Sequence, residues 1–256
     1  MSRAWRRAAA AAALAAAVPA LAYVLPVPGI LRRMGERRAA LALASLEVTG
    51  TLVAEGDAAE RLAGAVGQRP AGAATSVPAR LAVKVPGRCR LELAPAGVAE
   101  GARPYVAVRD GKVAASGGLD AVPGALALVR GACTLLGVAT GGDASGAYAA
   151  ALSRRGVPLA DASLGRFDGH IAYVIGARAA EAKPRLFVGK DTFQPLRLLA
   201  EEGGALRDLR LLGWGSPTGG DWFPRAAEVW NGDRAELRFT TERAAANPRL
   251  AELLFP

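Results

Sequence analysis

Trp222-Phe223-Pro224-Arg225-Ala226-Ala227-Glu228-Val229-Trp230, then Asn231-Gly232, then Asp233-Arg234-Ala235-Glu236-Leu237-Arg238-Phe239: this is the stretch that decides the fold. Asn-Gly between two alternating runs calls for a type I′ turn, because both central residues need φ > 0. The spacing therefore predicts a β-hairpin. After the turn, Ala235, Leu237 and Phe239 share one face, and Arg234, Glu236 and Arg238 share the other. One face is dry and one is wet, so something apolar must cover the dry one.

Working back from the hairpin, short apolar-alternating runs recur at residues 161–166, 171–177, 185–190, 195–201 and 206–213. Each closes on turn residues, as strands of an antiparallel meander do. Beyond the hairpin, Asn247-Pro248 predicts a last short helix with Asn as cap and Pro at its first position. That helix would carry Leu250, Leu253, Leu254 and Phe255.

The first half repeats the pattern. An amphipathic helix is expected over 28–44, with Ile30, Leu31, Met34 and Leu41 on one face and Arg32, Arg33, Glu36, Arg37 and Arg38 mostly opposite. A strand follows over 46–54, with Leu46, Val48 and Leu52 on one side. Gly50 within it marks a bulge or a crowded approach. Residues 55–77 are rich in Gly, Ala and small polar residues and read as a loose excursion, with one turn of helix near 58–66. Leu81, Val83 and Val85 then alternate with polar neighbours, Pro86-Gly87 turns the chain, and Cys89, Leu91 and Leu93 alternate in return. A strand over 105–108, an Asp110-Gly111 turn and a short partner over 112–116 complete the run. Between the halves lie two helices. One carries Leu126, Val129, Cys133 and Leu136, and the other spans 144–155 with Gly156 closing it.

These elements compose an α+β fold: one sheet of about ten to eleven strands, nearly all antiparallel because the connections are too short for crossovers. A sheet of that size curls. The few helices would cover its dry face.

Composition sets the frame. The chain has 256 residues, suiting one large β-rich domain. Hydrophobic content is 52%, but aromatics are 5%, so a core rich in alanine must lean on Leu, Val and few rings. Met1 to Arg7 is basic, Ala8 to Val18 apolar, and Ala20-Leu21-Ala22 fits a cleavage site. The expectation is a signal peptide over 1–22, a single domain over 23–256, and a soluble periplasmic product. A retained anchor is the other reading. No Cys lies near the cleavage site, so no lipobox is present. The 32 basic residues fall to 29 without Arg3, Arg6 and Arg7, against 23 acidic ones. They form no clustered patch with interleaved aromatics, which points away from nucleic acid. Transient contact with an anionic membrane surface stays open.

No catalytic signature emerges. His170 is the one histidine, and no G-x-S-x-G elbow accompanies it. One His and two distant Cys give no zinc spacing. The glycines of 141–146 match no phosphate-loop pattern. The reading is a non-enzyme without cofactor or metal. Cys89 and Cys133 permit one disulfide in an exported chain, two buried thiols being the alternative.

Gly169-His170-Ile171-Ala172-Tyr173-Val174-Ile175-Gly176, then Arg185-Leu186-Phe187-Val188-Gly189-Lys190-Asp191-Thr192-Phe193-Gln194-Pro195-Leu196-Arg197, then Trp222-Phe223-Pro224 and a final hairpin, resembles the periplasmic lipoprotein-carrier superfamily, the LolA- and LolB-like lipoprotein-sorting proteins. The Gly50-Thr51 step agrees with that layout. The resemblance is specific from Phe167 onward.

It implies a strongly curved antiparallel half-barrel whose concave face is plugged by helices, with an apolar cavity for acyl chains between them. It implies a carrier or binder of lipid-modified ligands in outer-membrane lipoprotein sorting. The partner is then a lipidated protein or lipid, and the protein a monomer. A sensing or scaffolding module of the same fold, with an envelope protein as partner, is the alternative. The cavity wall would draw on Val48, Leu52, Leu81, Val83, Leu91, Leu93, Tyr173, Ile175, Leu196, Leu198, Val229, Ala235, Leu237 and Phe239, with Trp214 and Trp222 in loops at the strand ends.

Overall fold

A computed structural model describes residues 24–70, 72–139, 141–178 and 181–256. The leader expected over 1–22 lies outside the described residues. Among them, twelve strands form a single antiparallel sheet, with four α-helices and three short 3-10 turns. The helices are α1 (Val27–Ala39), α2 (Asp57–Ala65), α3 (Ala125–Leu136) and α4 (Ala144–Ser153). The first-half strands are β1 (Ser45–Glu55), β2 (Ala74–Lys84), β3 (Arg88–Leu93), β4 (Tyr105–Arg109) and β5 (Lys112–Ser116). The second half supplies β6 (Ala162–Phe167), β7 (His170–Gly176), β8 (Arg185–Gly189), β9 (Pro195–Glu202), β10 (Ala205–Leu212), β11 (Ala226–Asn231) and β12 (Arg234–Ala246).

The sheet order is β5-β4-β3-β2-β1-β12-β11-β10-β9-β8-β7-β6. Two meanders run outward from a shared seam, β1 against β12. The count is twelve, not the expected ten or eleven: every short run read from the sequence, the five-residue β5 included, joins the one sheet. The chain leaves that edge and reaches β6 at the other through α3 and α4. Helix α3 touches β2, β3 and β4 on one side and β9, β10 and β11 on the other. One helix can reach both halves because the open sheet curves around it.

Alternation placed most inward side chains where the sequence put them. The hairpin pairs Asn231 with Arg234 around Gly232, whose φ is +62°. Val229 lies opposite Leu237, yet Trp230 lies opposite Ala235, so Glu236 is an extra residue. This bulge moves Ala235 off the face of Leu237, since an inserted residue inverts the alternation beyond it. Gly50 sits at a second irregularity, where β1 shifts register against β12. A Cβ there would fall 2.1 Å from the Thr240 carbonyl oxygen, so the position admits only glycine.

Three expectations need correction. Residues 55–77 are packed: Ala58, Ala59, Leu62 and Ala63 of α2 are buried against β1 and β2, and β2 already begins at Ala74. Their alanines let the helix sit close, but alanine gives weak contrast between faces. Helix α1 stops at Ala39, and Ala42 turns the chain at φ +48°. The Asn247 side chain holds that turn, accepting from the Ala44 and Ser45 amides and donating to the Ala42 carbonyl. Asn247 therefore starts no helix. Only Glu252–Leu254 makes a 3-10 turn beyond it. Leu253 faces solvent, whereas Leu250 and Phe255 pack on Ala82 on the sheet's outer face.

Candidate functional site: a cleft beside the plug helix

Most of the residues proposed for a cavity wall meet in one buried cluster beneath the helices. It contains Val48, Leu52, Leu81, Val83, Leu91, Leu93, Tyr173, Ile175, Leu198, Val229, Leu237 and Phe239, with Trp214 and Trp222 partly buried against it. Phe223 closes edge-on over Phe239, with centroids 6.0 Å apart at 88°. Here this face is filled with protein atoms. Leu196 departs from it. Phe187 faces Arg197 and Val188 faces Pro195, so Leu196 is the extra residue of a bulge. It joins Ala172, Val174, Phe187 and Leu199 in a separate cluster on the opposite face.

Helix α3 is fixed to the sheet it covers. A disulfide joins Cys133 to Cys89 of β3, with the Cα atoms 5.6 Å apart. Gly131 brings the helix onto β10 so closely that a Cβ would lie 2.3 Å from Leu209 Cδ2. Helix α4 rests on α1 and α3 instead. Its Ala144 approaches Gly35 of α1 so tightly that a Cβ on the glycine would fall 2.4 Å away.

Behind this junction Arg38 is buried, donating to the Trp222 and Leu136 carbonyls at 3.2 and 3.3 Å. Its Nε has no partner among the described residues. Burial pushes the Arg38 guanidinium below its ordinary range. Burial also pushes the neighbouring Tyr148 hydroxyl up to about 12, against the pull of the Arg38 charge. That hydroxyl donates to the Leu135 carbonyl at 3.1 Å.

Open space lies on the other side of α3. A cleft of about 740 Å³ separates α3 and α4 from the β2–β3 and β4–β5 turns. Its apolar wall is Val108, Cys133, Val138, Ala147, Ala150 and Ala151, and its basic wall is Arg130, Arg154 and Arg155. Glu202, at the end of β9, receives Arg130 at 2.5 Å and Arg155 at 3.1 Å. Asp110 and Gly111 form the far rim. None of the wall residues proposed from alternation lines this cleft. Cys133 does, through the disulfide pair.

The reading from alternation missed the cleft because it followed strands. A helical signal was present: Ala147, Ala150, Ala151 and Arg154 recur at i, i+3, i+4 and i+7, and so do Arg130, Cys133, Thr134 and Gly137. The remaining candidates stand apart. His170 opens β7 exposed, with Asp168, Lys190 and Asp191, on an outer groove of about 230 Å³. Asp221 pairs with Arg37 at 2.7 Å. Among the described residues, no group of three or more His, Cys, Asp or Glu is placed to hold a metal ion. No described helix is long and apolar enough to cross a membrane.

No family model matches the chain, and no curated protein matches it. Solved structures do. One is a LolA superfamily protein from Nitrosomonas europaea, at 13% identity over 91% of this chain and 98% of that one, with a TM-score of 0.48. Another, from Vibrio parahaemolyticus, is described as an outer membrane lipoprotein-sorting protein domain, at 11% identity over 88% and 96%, with a TM-score of 0.42. A third is a DUF1329 family protein from Desulfovibrio piger, at 12% identity over 91% and 98%, with a TM-score of 0.44. The chain is thus similar, at low identity and nearly full length, to LolA superfamily and lipoprotein-sorting structures.

Proposed function

We propose that this protein binds and carries a lipid-modified or other hydrophobic ligand in the bacterial cell envelope, by the non-covalent sequestration of acyl chains. The observation that carries the reading is the open cleft with an apolar wall beside the plug helix. Its volume of about 740 Å³ falls within the roughly 300–1,000 Å³ common to ligand sites. Burying an acyl chain gains about 0.8 kcal/mol per CH₂, so a cleft holding one chain competes with a membrane. The residues first proposed as cavity wall, Leu81, Leu91, Leu237 and Phe239 among them, become the floor beneath α3. The Cys89–Cys133 bridge holds α3 down on that floor, which directs the ligand to the cleft. The basic-apolar leader and the disulfide both suit an exported chain.

The test is binding of N-phenyl-1-naphthylamine, an uncharged dye that brightens in apolar surroundings. The purified protein should enhance its fluorescence. Ala150→Trp, at an exposed position lining the cleft, should fill much of the site. Dye binding should then weaken at least about tenfold, roughly 1.4 kcal/mol, with an unchanged melting curve. A dye-silent wild-type protein sinks the reading. In that case retention of an envelope protein on the immobilised chain would favour a sensing or scaffolding module.

A further inference from the structure

The cleft is asymmetric in charge. Arg130 leaves α3, Arg154 and Arg155 end α4, and all three line the same wall. Among the described residues, Arg130 and Arg155 share the single carboxylate of Glu202, and Arg154 has no carboxylate partner. Three guanidinium groups against one carboxylate leave two positive charges on that wall. Across the cleft, Asp110 stands beside Arg109 at 4.0 Å, so the far rim adds no net negative charge. A second observation points the same way: Arg154 is exposed where it lines the cleft, so an incoming oxygen anion can reach its guanidinium without displacing a carboxylate.

Resting on the carrier reading, we infer that the cleft takes an amphiphile with an anionic, phosphate-like head group: the head sits against Arg154, with Arg155 and Arg130 behind it, and the acyl chain runs along Val138, Ala147 and Ala151. The chemistry follows from geometry. Guanidinium groups present planar forks that match phosphate and carboxylate oxygens two at a time. A small-residue wall, with alanines at positions 147, 150 and 151, leaves a smooth channel for methylene groups. Glu202 holds Arg130 and Arg155 in place beforehand, so little side-chain freedom remains to be lost on binding.

Competition against bound N-phenyl-1-naphthylamine tests this, with decyl phosphate and decyl maltoside, both below their micelle-forming concentrations, and inorganic phosphate as competitors. Decyl phosphate should displace the dye at about one-tenth the concentration of decyl maltoside, and inorganic phosphate should not displace it. Arg154→Gln should cut that preference to under about threefold, while Arg154→Lys, which keeps the charge but loses the fork, should fall between Arg154→Gln and wild type. Arg166→Gln, at the exposed position of β6, should leave the preference as in wild type. Equal displacement by both amphiphiles, or a preference untouched in Arg154→Gln, overturns the head-group inference and leaves the carrier reading standing. Displacement by inorganic phosphate alone makes the site one for a free anion and overturns the amphiphile. Failure of every amphiphile to displace bound dye takes the carrier reading down together with the inference.

Discussion

Arg38 enters the interior without a carboxylate. The sequence pattern put it on the wet face of α1 with Arg32, Arg33 and Arg37, but the structure leaves it only 7% exposed. Its partners are the carbonyls of Leu136 and Trp222, far along the chain, so no local pattern could have found it. The effect is measurable through Tyr148. In the folded state burial pushes its hydroxyl up to about 12, above the ordinary 10.0. The folded state keeps a proton that the unfolded chain gives up. The associated stability is therefore present below pH 10.0 and lost as pH rises through about 12. Denaturant titrations at about pH 9 and about pH 12 should show wild type losing on the order of 2 kcal/mol more than Tyr148→Phe. At neutral pH the same variant should cost about 1 kcal/mol, from the lost bond to the Leu135 carbonyl.

At the scale of elements, the strands were the more legible part. Period-two alternation reports which face is dry, and a sheet with one covered face obeys it. Alternation failed where a residue was inserted, at Leu196 and at Glu236, because a bulge depends on the partner strand. Helix α3 was visible in the spacing of Leu126, Val129, Cys133 and Leu136. Helix α2 was legible as a turn of helix near 58–66, but its packing was not, since alanine reads alike on both faces. The cleft escaped notice for a related reason: its wall is alanine and arginine, which suit a solvated helix equally well. The disulfide gives α3 a testable role. The bridge closes a loop with a sequence separation of 44. Loop-closure entropy assigns it about 4 kcal/mol. Cys89→Ser with Cys133→Ser should lower the urea-unfolding free energy by an amount of that order. Adding reductant to that variant should change nothing further, while wild type in reductant should approach it.

For the whole molecule, the sheet's outer face is dressed unevenly. Over β2, β3 and β4 the last residues of the chain form a strap. Leu250 and Phe255 pack on Ala82, and the carbonyls of Leu250, Leu254 and Phe255 accept from Lys84, Arg90 and Arg109. Over β7 to β9 no such strap lies among the described residues, and arginine stems do the covering. Arg197 stands over Phe167 and Phe187 at 5.4 and 5.2 Å. Deleting residues 248–256 should therefore uncover Ala82 and strand Lys84, Arg88, Arg90 and Arg109. With two large apolar side chains lost at about 2 kcal/mol each, the melting midpoint should fall by roughly 10 °C while the far-ultraviolet spectrum keeps its β signature. A midpoint within about 2 °C of wild type would show the strap to be ornamental.

The seam between the two meanders has a consequence in time. β1 finds one neighbour at once, β2, but its other is β12, in a pairing that joins residue 46 to residue 246. Until the chain's end is available, the first half carries a long, apolar, unpaired edge, which is the kind of strand that recruits other chains. Contacts so distant in sequence also make for slow folding. This protein must therefore pass a vulnerable interval with its middle open, and its yield should depend on how long that interval lasts.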